Sequence, residues 1–310
     1  MCLNQYVRWT TTDEGPDGLF PVMDLFAGEY GTGRMSQLEF LPVLAHRVLN
    51  HLPNTPWATW TINVYRGCSH ACRYCFARPT HEYLGLNAGS DFDTKIVVKV
   101  NAVDVLRREL ADPQWAHESV AMGTNTDPYQ RAEAKFRLTR GVIAALIEHD
   151  TPFTILTKSP LVTRDLDLIA PATKRLDIGV SFSIPTLDER AWRVSEPGTP
   201  HPRRRIEAMQ AMVDAGIRTG ALMAPILPGL SDRREQITET VQAIRKTGAE
   251  VLHAHPVYLR GATREHFMSW LHDHDPTLHA RYERGFNAKG EVSDAYKKWV
   301  STAVRAAGAT

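Results

Sequence analysis

Residues 66–83 read RGCSHACRYCFARPTHEY and place Cys68, Cys72 and Cys75 within eight positions of a chain that has only four cysteines. The stretch follows a β-branched, apolar run, WTINVY (60–65), and Gly67 can supply the tight backbone turn that lets side chains from one loop converge. Downstream the pattern alternates. Strands are predicted over SVAMG (119–123), FTILTKS (153–159), DIGVSFS (177–183), TGALMAPI (219–226) and VLHAHPVYL (251–259). Helices are predicted between them over 100–112, 133–150, 161–175, 202–216 and 234–248. Strand following helix about six times implies parallel strands with crossover helices, in an open doubly wound sheet or a partly or wholly closed (β/α) barrel. Both architectures present chemistry at the carboxyl ends of the strands, where the cysteine stretch falls.

Residues 1–55 read as an extension rich in turn residues, with one helix expected over SQLEFLPVLAHRVLNHL (36–52). Within it GEYGTG (28–33) lacks a preceding strand and a following Lys-Ser/Thr, so it reads as a loop and not as a phosphate cradle. Residues 56–261 form the expected core, and 262–310 an all-helical tail. The chain has 310 residues, 43% of them hydrophobic, and a net charge of +1, so bulk charge demands neither nucleic acid nor membrane as a partner. No apolar run approaches a membrane span, and the first residues lack a secretory pattern, so the expected location is the cytoplasm. Thiols stay reduced there, and clustered cysteines serve as metal ligands more often than as disulfides.

Three thiols spaced C-x3-C-x2-C admit two metal chemistries. A structural zinc needs a fourth ligand, for which only His70, His81 or the remote Cys2 is at hand, and would make the chain a zinc-stabilised interaction protein. An iron–sulfur cube held by three cysteines leaves one iron open to a small molecule, which is a catalytic arrangement and not a pure electron carrier. Cys2 alone cannot supply a second all-cysteine cluster.

C-x3-C-x2-C with an aromatic, Tyr74, before the last cysteine resembles the signature of the radical S-adenosylmethionine (SAM) superfamily. The longer run GCSHACRYCFARPTHEYLG (67–85), followed by GTNTDPYQ (123–130), TKS (157–159), RDLDLI (164–169) and APILPGLSD (224–232), is similar to the spore photoproduct lyase-like subgroup across roughly residues 57 to 260. The resemblance implies a partial (β/α)6 TIM-like barrel and a [4Fe–4S] cluster on Cys68, Cys72 and Cys75. It implies SAM as cofactor, chelated through its amino and carboxylate groups, and a one-electron reductant such as flavodoxin or ferredoxin. The implied reaction is reductive cleavage of SAM to methionine and a 5′-deoxyadenosyl radical that abstracts hydrogen from a substrate the sequence does not name. The cofactor carries the hard chemistry, and the protein orients it and excludes competitors.

Matching segments imply cofactor contacts at Thr124, Asn125 and Thr126 for the methionine moiety, with Asp127-Pro128 shaping the turn. They imply Lys158 for its carboxylate, Ser181 or Ser183 for ribose, and Pro225 and Ile226 for adenine. The subgroup member with a known reaction repairs a thymine dimer in spore DNA, using tyrosine on both sides of the last cysteine and a further cysteine as hydrogen donor. Here Phe76 follows Cys75, and the one spare thiol is Cys2. A DNA-repair enzyme is therefore the alternative within the class, with nucleic acid reached through local patches such as Arg203–Arg205. Glu133 and Glu196 fall after strand ends, where a carboxylate can face the cavity and act on substrate, but read first as solvated carboxylates; Arg203–Arg205 read as an exposed helix start, and His253 and His255 as rim or core histidines sharing one strand face.

Overall fold

The computed structural model describes residues 9–11, 38–53, 55, 56 and 58–308. Cys2 and the loop 28–33 lie outside the described residues. The chain enters with β1 (Trp9–Thr11), antiparallel to β2 (Glu39–Ala45). The helix expected over 36–52 is therefore a strand. Pro42 disfavours a helix interior, and Glu39–Val43 finds a parallel partner further along the chain. After β3 (Asn50–His51) and β4 (Trp60–Ile62) come β5 (Tyr65–Arg66), the cysteine loop, a 3-10 segment Arg78–Leu84, α1 (Ser90–Thr94) and β6 (Lys95–Lys99). β6 pairs with β2 in parallel and with β5 antiparallel, giving a small sheet in the order β1-β2-β6-β5. The run KIVVK of β6 was legible as a strand from its β-branched content, but the sequence reading passed over it.

The core then alternates: α2 (Ala102–Leu110), β7 (Val120–Met122), α3 (Arg131–Phe136), α4 (Leu138–Glu148), β8 (Phe153–Thr157), α5 (Leu166–Ala172) and β9 (Ile178–Ser183). It continues through α6 (Glu189–Ser195), α7 (Pro202–Asp214), β10 (Arg218–Ile226), α8 (Arg234–Lys246) and β11 (Glu250–Pro256), and ends in α9 (Gly261–His274), α10 (Pro276–Gly285) and α11 (Asp294–Ala306). The six strands β4, β7, β8, β9, β10 and β11 are parallel and lie in chain order, with β3 antiparallel at the far edge. A doubly wound sheet reverses its strand order at a switch point. This sheet never reverses, so the architecture is a (β/α)6 barrel. It is partial, because among the described residues no ladder joins β11 to β3.

Alternation along the strands places the two layers. Phe153 and Ile155 of β8, and Ile178, Val180 and Phe182 of β9, are buried against the helices in the main core. Their alternates, Leu156 and Ser183, face the barrel interior, because successive side chains on a strand point to opposite faces. The helix expected over 133–150 breaks at Arg137, which takes a left-handed conformation with φ of 53°. The cause is Glu133, whose buried carboxylate accepts the free N–H of Thr139 (2.9 Å) at the start of α4. No helix among the described residues is long and apolar enough to cross a membrane.

Candidate cluster and cofactor site

The cysteine loop leaves β5 through Gly67, whose φ of +82° is the left-handed conformation the sequence anticipated. Consecutive turns wind it onward: Ala71 N–H donates to the Cys68 carbonyl (3.1 Å), Cys75 N–H to that of Cys72 (3.2 Å), and Arg78 N–H to that of Cys75 (3.3 Å). The Arg78 side chain, fully buried, locks this winding. Its Nε and Nη2 donate to the Cys72 carbonyl, Nη1 reaches the carbonyls of Ala88 and Gly89, and Nη2 pairs with Asp93 at 2.8 Å. From the tail, the Thr263 hydroxyl donates to the Cys75 carbonyl (3.0 Å).

Cys68, Cys72 and Cys75 line one wall of a cavity of about 250 Å³ at the carboxyl ends of the barrel strands. Thr124, Asn125, Thr126, Lys158, Ser183 and Pro225 line the rest of it, so most of the positions drawn from the sequence meet there. Two do not. Ser181 lies two residues before Ser183 on the same face, about 6.6 Å from the carboxyl end at the usual strand rise, and does not reach the cavity. Ile226 turns outward and is buried in the main core, while Ala224 and Pro225 form the wall. The Thr126 hydroxyl donates to the Gly67 carbonyl (2.6 Å) and so ties the strand-end loop to the cysteine loop.

Burial raises the Cys72 thiol well above its usual range, with nearby Glu196 adding to the effect. Burial and the neighbouring Cys68 push Cys75 up to about 11. Unaided, these groups stay protonated, because thiolates so placed repel one another in a poorly solvated wall. A shared cation removes that penalty, and the donor set fits an iron–sulfur cluster: three thiols on one wall. Among the described residues no three His, Cys, Asp or Glu side chains are already closed to metal-ligand spacing. Of the histidines that a zinc site would need, His81 is directed to the Lys95 carbonyl (2.9 Å), away from the cavity. His70 pairs with Asp127 through Nδ1 at 3.4 Å.

Two buried polar hubs brace the site. Asp127 accepts from Tyr129 N–H (2.8 Å), the Thr157 hydroxyl (2.7 Å) and Lys158 N–H (2.6 Å), and faces His70. Burial opposes its charge, but the His70 imidazolium and these donors outweigh burial and hold the carboxyl low. Burial likewise lowers His70, but Asp127 and the Cys68 side chain outweigh it and bring the imidazole up to about 9. Gln130 reinforces the contact, accepting from Ser69 N–H (2.9 Å) and donating to the Gly67 carbonyl (2.9 Å).

The second hub is Glu196, 3% exposed. It takes the Tyr74 hydroxyl, Arg205 Nη2 (2.5 Å) and the Lys158 ammonium (3.3 Å). Glu196 and Arg205 correct the sequence reading of a solvated carboxylate and an exposed helix start. Arg205 turns inward, while Arg203 meets Glu239 at the surface. Glu133 is also buried, bonded to the Tyr65 hydroxyl (2.6 Å) and Arg164 (2.7 Å), and does not line the cavity. His255 lines the cavity on the β11 side, with His253 beside it. The sequence singled out Glu196 by its place after a strand end and Arg205 within a basic run, but nothing in it paired them with each other or with Tyr74, because partners 122 residues apart meet only through the barrel.

Gly198 shows how tightly the loop is held. Its N–H donates to the His70 carbonyl (3.1 Å), and a Cβ there would stand 2.2 Å from the Ser69 carbonyl oxygen. Gly198→Ala is expected to displace the loop at a cost of about 1–3 kcal/mol and to lower iron retention while leaving the circular dichroism spectrum intact. Wild-type iron content in this variant would contradict the close approach.

The fold and this arrangement of thiols match a known family. The model of the Radical SAM superfamily covers residues 62–244, more than half the chain, and the chain belongs to that superfamily. It is thus a radical SAM enzyme. Among relatives, the uncharacterized protein Rv2578c of Mycobacterium tuberculosis is 44% identical over 264 residues, covering 84% of this chain and 77% of its own length. The uncharacterized protein MJ0683 of Methanocaldococcus jannaschii is 31% identical over 205 residues, covering 66% and 74%. A structure of spore photoproduct lyase complexed with dinucleoside spore photoproduct superposes with a TM-score of 0.61 at 18% identity, over 86% of this chain and 78% of that one. At that identity the likeness is one of fold, the partial barrel.

Proposed function

We propose that Cys68, Cys72 and Cys75 hold a [4Fe–4S] cluster and that the adjoining cavity takes SAM. The observation that carries this reading is the shared wall: three thiols and the Lys158 ammonium face one cavity at the carboxyl end of the barrel. The superfamily's chemistry is one-electron cleavage of SAM to methionine and a 5′-deoxyadenosyl radical, with the electron drawn from a reductant such as flavodoxin or ferredoxin. The protein's part is to bind, orient and exclude. Lys158 pairs with the cofactor carboxylate, and its Nζ is already aligned by the Ser183 hydroxyl (2.5 Å). Thr124 and Asn125, with Thr126 behind them, flank the methionine moiety. Ser183 serves ribose, and the wall at Ala224–Pro225 receives adenine.

Phe76, 69% exposed, and Tyr258, 40% exposed, line the cavity rim, and the substrate enters past them. Two exposed rings there favour, as a second reading, a substrate with stackable bases. The dinucleoside bound in the spore photoproduct lyase structure is of that kind.

The test is formation of 5′-deoxyadenosine by anaerobically reconstituted, reduced protein supplied with SAM, with and without oligonucleotide. Product is expected above a no-protein control and is expected to vanish in Cys75→Ala; product that persists in that variant refutes the assignment. Stimulation by oligonucleotide supports the second reading, and its absence removes it. Lys158→Met is expected to weaken SAM binding by about tenfold or more, the usual consequence of removing a desolvated charge partner, with iron content unchanged. Unaltered affinity would end its assigned role.

A further inference from the structure

Lys158 is the cavity-facing member of a buried charge cluster. Its ammonium lies 3.3 Å from the buried carboxylate of Glu196, so by itself this pair offers an incoming carboxylate no net charge. A buried anion at this point would compete with the cofactor for the same lysine. Arg205 changes the balance. It is fully buried, at 0% exposure, and does not line the cavity, so it cannot touch the cofactor. Its Nη2 bonds Glu196 Oε2 (2.5 Å) and the Thr199 hydroxyl (2.7 Å), and its Nη1 bonds the Ser183 carbonyl (2.9 Å). The opposite carboxylate oxygen, Oε1, meets Lys158 and the Tyr74 hydroxyl. One carboxylate is thus shared between two cations, and the set carries one net positive charge, whose cavity-facing end is Lys158.

We infer that Arg205 is a positioning residue for SAM: by neutralising Glu196 from behind, it frees the charge of Lys158 for the cofactor carboxylate. This rests on the reading of Lys158 given above. Glu196 in turn does two things with Oε1. It holds the lysine beside Ser183, and through Tyr74 it ties the lysine to the cysteine loop, so cofactor carboxylate and cluster ligands share one frame. The lowered Glu196 carboxyl, at about 2, accords with this. Burial resists its ionisation, and Arg205, Lys158 and the Tyr74 hydroxyl override burial.

The experiment measures equilibrium binding of SAM and of decarboxylated SAM to the cluster-loaded full chain. Arg205→Met is expected to weaken SAM by about tenfold or more while changing the decarboxylated analogue by less than about threefold, since only SAM presents a carboxylate to the compensated lysine. Arg205→Lys, which keeps the charge, is expected to recover part of the loss. The double variant Glu196→Gln/Arg205→Met is expected to recover most of it, because the anion to be neutralised has gone. Equal losses for both ligands, or a double variant as weak as Arg205→Met, would overturn the inference. If Arg205→Met fails to fold with an uncompensated buried carboxylate, the double variant decides, because its glutamine keeps an acceptor oxygen for Lys158 and Tyr74 while both buried charges are gone. It is expected to bind SAM within about threefold of wild type, and a tenfold weakening overturns the inference. Lys158→Met separates the two readings. Unaltered SAM affinity there removes the assignment of Lys158 itself, whereas a loss there with none in Arg205→Met removes only the role of Arg205.

Discussion

Alanine at Cys68, Cys72 or Cys75 is expected to take the reconstituted protein from about four iron atoms per chain to fewer than about one, and to erase its visible absorbance. The expectation is large because nothing substitutes for a lost thiol. Among the described residues the cavity wall offers these three and no fourth cysteine. A cluster with one iron already without a protein ligand does not survive the loss of another anchor. The fold itself should tolerate each change. Cys72 packs beside Tyr74 and Leu227, and Cys68 beside Ala77 and Phe92, so each exchange removes one small buried side chain. Iron and sulfide analysis alongside thermal melting makes the distinction, and near-wild-type iron in a folded variant would refute the ligand assignment. Cys2 is the counterpart: its replacement is expected to leave iron content unchanged, and a loss there would make it a fourth ligand.

Asp127→Ala is expected to have the largest effect on stability. It would remove the partner that keeps the buried His70 imidazole charged and strip an acceptor from the Thr157 hydroxyl and from the N–H groups of Tyr129 and Lys158. Removing one partner of a buried pair costs about 3–5 kcal/mol. For a chain of this size that corresponds to an apparent melting temperature lower by on the order of 10 °C. Asp127→Asn keeps the acceptor shape and loses only the charge, so it is expected to fall between wild type and alanine. A melting temperature within about 2 °C of wild type in Asp127→Ala, under 1 kcal/mol on the same scale, would show that the hub is not holding the three loops together.

How much of this was legible in the sequence depends on the range of the interactions concerned. The cysteine loop was legible because its three thiols lie within eight consecutive residues and its glycine turn is a local demand. The alternation of strands and helices was legible because periodicity is local too, and the superfamily and its fold followed from residues that stand next to one another. The segment 39–45 reads as a helix because its apolar spacing suits either period; Pro42 argues against that locally, and the pairing with Lys95–Lys99 settles it as a strand. The break at Arg137 escaped because Glu133 acts on the next helix and not on its own.

The sequence by itself determined the class of chemistry: three thiols, a barrel to carry them, and a lysine at a strand end. Tertiary structure alone decided which of those strand-end residues share the cavity, separating Ser183 from Ser181 by depth along one strand face and Pro225 from Ile226 by one step of the pleat. It also decided that Glu196 and Arg205, which sequence reading left at the surface, stand behind the lysine as buried charges. The physical reason is that burial and charge compensation belong to neighbours in space. A carboxylate's partners at positions 74, 158 and 205 become neighbours only when the sheet curls and brings the ends of its strands together.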